Sequence, residues 1–270
     1  MLNVNTEAIQ WWLGDLTEKF EENKDALTGL DLEAEHRLEH EIRGYLSEHP
    51  PGPGHGFDHH QRVRAFTTII DIVNEADTET IKINRYAAST HDLLKEIGKG
   101  GKGPHNWEKL RELTRDLMEK AKIENRYLSR VIEVIEQHHE DDPSKRSVGN
   151  NLYEGDTNDI TYLPRCFAVA QTLPQLYPTV DIVIADYTRY QINPSKPITE
   201  AGRRMFEKGK EWALPLLEDL KNKLGDSDAK PYFPFLGNQW RENKGIAPPV
   251  LKEALASYEE TIPKFEKTIF

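Results

Sequence analysis

Residues 87–98 read Ala-Ala-Ser-Thr-His-Asp-Leu-Leu-Lys-Glu-Ile-Gly. They place an imidazole and a carboxylate side by side, at His91 and Asp92, within an apolar helix predicted over about 79–97. A buried pair of this kind costs free energy unless it has partners, and a divalent metal ion can partner both groups at once. The stretch therefore predicts a metal site, provided that other helices bring further ligands to it.

Helical periodicity dominates the rest of the chain and predicts an all-α fold. Four predicted helices carry histidine or aspartate within or at the end of an apolar stripe: His59, His91 with Asp92, His138 with His139, and Asp186. His59 lies on the apolar face of its helix, whereas His60 is predicted to point away. A lone buried histidine is usually a satisfied core residue, but facing helices of a bundle that each supply one can assemble a metal site.

Two further stretches of the sequence bear on the search for a metal site. His36 and His40 lie one turn apart and form an alternative metal pair, although the glutamates around them indicate a solvated face. Residues 144–158 are polar and are predicted to form a long loop.

Composition restricts the class of protein. The chain has 270 residues, a formal net charge of −11 and one cysteine, Cys166, which excludes an intrachain disulfide. An acidic surface repels polynucleotides, so we expect a small substrate. The first residues lack a basic region followed by an apolar run, so no signal peptide is expected. No apolar run is long enough to span a membrane, so a cytoplasmic protein is expected.

The motifs His59-His60-Gln61-Arg62-Val63, His91-Asp92 and Ala185-Asp186 together resemble the HD-domain metal-dependent phosphohydrolase superfamily, over about residues 50–192. The resemblance implies an HD-domain-like helical bundle. We expect three segments in one compact unit: N-terminal helices that pack on the core (1–49), an HD-like metal-binding catalytic core (50–224), and a C-terminal arm with a last helix (225–270). The arm is rich in proline and aromatic residues and is expected to pack on the helices.

The resemblance also implies a ligand set. A first metal would be held by His59, His91, Asp92 and Asp186, with Asp181 as a competitor for the last position. A second metal would use Asp92 as a bridge, together with His105 and either His138 or His139. Such mixed sites suit manganese, iron, cobalt or nickel better than magnesium, so the expected cofactor is one or two divalent ions.

Residues near these motifs are predicted to act in catalysis or to bind the phosphate group of the substrate. Asp92, Lys95 and His55 are predicted to be catalytic, with His55 either a ligand or an acid at the mouth of the site. Phosphate would be bound by four basic residues: Arg62, Lys99, Lys102 and Arg189. Lys99 and Lys102 stand in a glycine-rich loop whose backbone N–H groups can approach phosphate; the alternative, which their composition favours, is a solvated flexible loop. Asp58 is predicted to orient a ligand histidine.

Three functions fit this pattern. The first is a phosphohydrolase that cleaves a nucleotide or another small phosphate ester with metal-activated water. The second is a diiron HD-type oxygenase acting on a small substrate, and the third is a non-catalytic nucleotide-sensing module. The basic residues near the motifs favour the first. The aromatic C-terminal arm could form an interface between two copies of the chain, so a homo-oligomer is an open alternative to a monomer.

Overall fold

The computed structural model describes residues 4–52, 54–94, 106–140, 142–191 and 197–269. In chain order the helices of these residues are α1 (Thr6–Leu13), α2 (Thr17–Asn23), α3 (Leu32–Glu48), α4 (Phe57–Val73), α5 (Thr78–Thr90), α6 (Trp107–Lys120), α7 (Leu128–His138), α8 (Asn150–Asp159), α9 (Leu163–Thr172), α10 (Val180–Gln191), α11 (Glu200–Leu224), α12 (Phe233–Leu236), α13 (Trp240–Asn243) and α14 (Lys252–Glu266). An isolated bridge between Thr179 and Asp228 is the only extended pairing among the described residues. The predicted all-α fold is confirmed.

Short polar side chains begin many of these helices. Each of the following accepts a hydrogen bond from a backbone N–H three residues further along: Asn5, Asp31, Asp77, Asn106 and Thr199. Such caps satisfy N–H groups that the first helical turn leaves without a partner. The capping residues therefore fix where α1, α3, α5, α6 and α11 start.

Helix α4 runs through the centre of the molecule and packs chiefly against α5 and α8. Every residue of α4 from Arg62 to Val73 is buried. Phe66 and Ile69 join a hydrophobic cluster with the N-terminal helices, α9 and the C-terminal helices. Val63 joins a second cluster built from α3, α5, α6 and α7. Both faces of α4 are thus covered, and its N-terminal end carries His59 to the place where α5, α7 and α8 meet.

Two predicted boundaries are wrong. The helix predicted over about 79–97 ends at Thr90, and His91 follows as its C-terminal cap. The predicted loop 144–158 contains most of α8. Polar contacts hold α8 in place: the buried Glu154 carboxylate accepts backbone N–H groups of Ile198 and Thr199, just before α11, at 2.7 and 2.8 Å. Because α8 buries polar side chains, its sequence lacks the apolar stripe of an ordinary amphipathic helix.

The C-terminal arm packs on the helices, as expected. Trp240 is buried, and the Tyr258 hydroxyl donates a hydrogen bond of 2.9 Å to the Leu236 carbonyl oxygen. The Trp12 indole N–H donates to the Thr268 hydroxyl at 2.8 Å and joins the two ends of the chain. Within the described ranges, no helix is both long and apolar enough to cross a lipid bilayer.

Candidate metal centre

Imidazoles and carboxylates from four helices converge at one end of α4. The contributing residues are His59 at the start of α4, His91 and Asp92 directly after α5, His138 at the end of α7, and Asp156 in α8. His59 Nε2 lies 3.5 Å from Asp92 Oδ2 and 3.5 Å from Asp156 Oδ1. His91 Nε2 also lies 3.5 Å from Asp92 Oδ2.

These spacings are close to those of a coordination shell. With metal–ligand bonds of about 2.1 Å, neighbouring ligand atoms lie roughly 3.0 to 3.4 Å apart. The donor atoms form two groups that share His91: His59, His91 and Asp156 make one, and His91, Asp92 and His138 make the other. In each group all ligand atoms fall within 4.8 Å of one another. The described residues can therefore hold one ion, or two adjacent ions.

Each of the three histidine rings is held in its orientation by a hydrogen bond at Nδ1, the nitrogen that faces away from the other candidate ligands. The Nδ1 atoms of His91 and His138 lie 2.9 and 2.6 Å from the carbonyl oxygens of Ala88 and Ile135. His59 Nδ1 lies 2.7 Å from Asp159 Oδ2. Carbonyl and carboxylate oxygens only accept hydrogen bonds, so each Nδ1 carries a proton, and Nε2 is the ring atom that can bind a metal ion.

The Nε2 atoms of His59, His91 and His138 are buried and find no hydrogen-bond partner among the described residues. Burial lowers the pKa of His91 to about 3 and that of His138 to about 3. Both rings are therefore neutral near pH 7, which is the form that binds metal. Buried nitrogens without partners are costly unless something occupies the space between them, and the donor set fits a divalent transition metal.

Asp159, which the sequence analysis missed, supports this set. It is fully buried and contacts the ring of His59 and the guanidinium groups of Arg62 and Arg165. Burial raises the pKa of Asp159, but Arg62, the hydrogen bond from His59 and Arg165 lower it to about 2. An ionised carboxylate behind a ligand imidazole fixes the orientation of its ring. Asp58, to which this role was assigned, is exposed.

The structure does not bring Asp186 to the centre. Its carboxylate accepts a hydrogen bond of 2.7 Å from the Tyr177 hydroxyl, and neither group of possible ligands includes it or Asp181. Asp156, on the helix that was predicted as a loop, lies at the centre instead. One signal was available in the sequence: Asp156 and Asp159 are three residues apart, which places them on one face if that stretch is helical.

The remaining predicted histidines lie at different distances from the centre. His55 Nε2 is 3.8 Å from Asp92 Oδ2, with 16% of its side chain exposed. His138 belongs to a ligand group and His139 does not; the His139 ring packs against Trp107. His60 is buried beside His91, contrary to the prediction that it points away. His36 and His40 are exposed on α3, outside both groups.

Neither of the two arginines predicted to bind phosphate, Arg62 and Arg189, is placed for that role in the structure. Both nitrogen contacts of Arg62 go to Asp159, and its guanidinium lies over the Tyr162 ring at 3.9 Å, so it supports the centre from inside the core. Arg189 is exposed and lines a groove between α10 and α11. Lys95, Lys99, Lys102 and His105 lie outside the described residues.

Comparison with known proteins gives no further guide, because no family model, no curated protein and no solved structure matches this chain.

Proposed function

We propose that this protein is a metal-dependent phosphohydrolase that cleaves a nucleotide or another small phosphate ester. One observation carries the proposal: three buried histidines on different helices direct Nε2 atoms toward one place, beside the carboxylates of Asp92 and Asp156. The resemblance of the His59 and His91-Asp92 motifs to HD-domain phosphohydrolases supports the class of reaction.

His59, His91 and Asp156 would hold one ion, and a second ion would take Asp92 and His138, because the single Nε2 lone pair of His91 binds only one ion. The site is rich in imidazole, which favours manganese, iron, cobalt or nickel over magnesium. Bound ions supply Lewis acidity and an activated water for attack on phosphorus.

The protein's own side chains would perform the other steps. Asp159 keeps the His59 ring fixed through the hydrogen bond to Nδ1. His55 lies at the edge of the centre and is partly exposed, so it can give a proton to the leaving oxygen. With a net charge of −11, the protein needs local positive charge to attract phosphate. Lys95, Lys99 and Lys102 are predicted to supply it.

The test is release of p-nitrophenol from bis(p-nitrophenyl) phosphate, followed by phosphate release from a panel of nucleotides, with Mn²⁺, Co²⁺, Ni²⁺ or Mg²⁺. We expect activity with a transition metal and a loss of at least about 100-fold in His91→Ala, because that ring belongs to both ligand groups.

His40→Ala is the matched control, since His40 is an exposed helical histidine away from the centre, and it should keep full activity. Full activity in His91→Ala would refute the assignment. Iron as the bound metal, with oxygen consumption and no hydrolysis, would favour the oxygenase instead.

A further inference from the structure

The side chain of Arg165, near the start of α9, contacts three residues in two separate parts of the molecule. Its Nε donates to the Gly54 carbonyl oxygen at 2.9 Å. Its Nη1 lies 3.1 Å from Asp159 Oδ2, and Nη1 and Nη2 lie 3.4 and 3.5 Å from Asp156 Oδ1. The side chain is only 10% exposed. A single guanidinium therefore connects the loop before α4 to two carboxylates of α8.

The loop end of this connection is closely packed. Gly54 has φ of +78°, a conformation that side chains other than glycine rarely adopt. A Cβ atom at Gly54 would lie 2.6 Å from Val169 Cγ2 and 3.0 Å from Arg165 Cγ. The next residue is His55, whose ring lies near Asp92. The hydrogen bond from Arg165 thus holds the backbone directly before His55.

The other end of the connection lies at a candidate ligand. The oxygen that Arg165 contacts, Asp156 Oδ1, is the same atom that lies 3.5 Å from His59 Nε2. A planar guanidinium can donate in three directions with fixed angles, whereas a lysine ammonium is a compact charge on a flexible stem. Lysine at this position would keep the positive charge and lose the simultaneous contacts.

We propose that Arg165 is a positioning residue that holds the ligand Asp156 and the loop carrying His55 in one arrangement around the metal centre. This inference rests on the proposed function, because it assumes that the centre binds metal. No substrate contact is assigned to Arg165 in this role.

The experiment measures Mn²⁺ affinity by calorimetry in wild type, Arg165→Lys and Arg165→Gln. Arg64→Lys is the matched control, since Arg64 is also a buried arginine paired with a carboxylate, Glu39, but it does not contact the centre. We expect Mn²⁺ binding 10- to 100-fold weaker in both Arg165 variants and unchanged in Arg64→Lys. If the Arg165→Lys protein does not fold, the comparison of Mn²⁺ affinity with wild type is made with Arg165→Gln.

A second readout separates positioning from general loosening of the structure. His55→Ala is combined with Arg165→Lys, and hydrolysis of bis(p-nitrophenyl) phosphate is measured for the double and single variants. If Arg165 holds His55 in place, the His55 substitution should cost several-fold less in the Arg165→Lys background than in wild type.

The outcomes distinguish the two proposals. Wild-type protein that binds Mn²⁺, together with Arg165 variants that bind equally well, would overturn the role of Arg165 and leave the metal centre intact. Equal weakening in Arg64→Lys, or additive effects of the two substitutions, would also overturn it. Failure of the wild type to bind any of the transition metals would overturn both proposals.

Discussion

The carboxyl group of Asp71 lies inside the protein, where a negative charge is poorly solvated. Its Oδ1 accepts hydrogen bonds from the side-chain amides of Asn84 and Asn151 at 2.8 and 2.6 Å. Burial raises the pKa of Asp71 to about 7, although these two amides and Arg85 oppose the increase. The folded protein therefore holds a proton that the unfolded chain, with an ordinary aspartate pKa of 3.8, releases between about pH 4 and pH 7.

This difference in pKa sets the sign of a pH effect. Since the folded state binds more protons in that interval, the contribution of Asp71 to the free energy of unfolding falls as pH rises from about 4 to 7, and it stays low above pH 7. Asn at this position is always neutral and can still accept from both amides. We expect Asp71→Asn to stabilise the protein by roughly 1 to 2 kcal/mol at pH 5 and by roughly 4 kcal/mol at pH 8.

Urea unfolding followed by tryptophan fluorescence, from pH 5 to pH 8.5, measures this effect. Asp116→Asn is the control, because Asp116 forms an ion pair with Lys120 in which both side chains are 55% exposed, and its effect should stay small at every pH. A difference between Asp71→Asn and wild type that does not grow with pH would show that Asp71 is ionised in the folded protein.

At the scale of elements, the contact between α4 and α8 decides where Asp156 lies. Gly155 permits this contact, since a Cβ there would lie 2.2 Å from Thr67 Oγ1 and 3.0 Å from the Val63 carbonyl oxygen. Gly155→Ala should push α8 away from α4, lower the free energy of unfolding by about 1 to 3 kcal/mol and weaken Mn²⁺ binding. Chemical unfolding and calorimetry measure the two effects.

Gly44→Ala provides the comparison. Gly44 lies within α3, and nothing comes within 4 Å of a Cβ placed there. Alanine should stabilise the helix by about 0.5 to 1 kcal/mol and leave metal binding unchanged. If Gly155→Ala behaved like Gly44→Ala, the close packing of α4 on α8 would not be what places Asp156.

Helix α8, which was predicted as a loop, shows what the sequence can and cannot predict in this protein. Apolar periodicity places His59 on the inner face of α4, and the apolar stripe of α7 leads to His138. Periodicity fails for α8 because its buried side chains include Glu154, Asn158 and Asp159, whose partners come from distant parts of the chain. Asp159 is paired with His59 and Arg165, and Glu154 with residues before α11. Such pairs appear only once the chain is folded.

The resemblance to the HD-domain family pointed to a different aspartate from the one that lies beside His59 in the structure. It assigned the last carboxylate to Asp186, whose local sequence matched, whereas that residue hydrogen-bonds Tyr177. A short motif carries no information on which of several acidic residues the fold brings to His59. The predicted division into 1–49, 50–224 and 225–270 remains a prediction, although one hydrophobic cluster draws residues from all three segments.

At the scale of the whole molecule, the candidate metal centre lies where helices from both hydrophobic clusters meet. Helix α4 belongs to both clusters, α5 and α7 mainly to the second, and α8 is anchored to α11 through Glu154. Aromatic packing of Trp12 against Phe66 and Phe265 joins α1, α4 and α14. The candidate ligands thus lie within packed helices or directly after them, which is the arrangement that a preorganised metal site requires.

The most direct test of this account is the metal content per chain, measured by elemental analysis after purification without chelator and reconstitution with Mn²⁺. Wild type should hold one or two equivalents, Asp156→Ala should lose at least one of them, and Asp186→Ala should match wild type. An Asp156→Ala protein with its full complement of metal, or an Asp186→Ala protein without it, would contradict the centre described above.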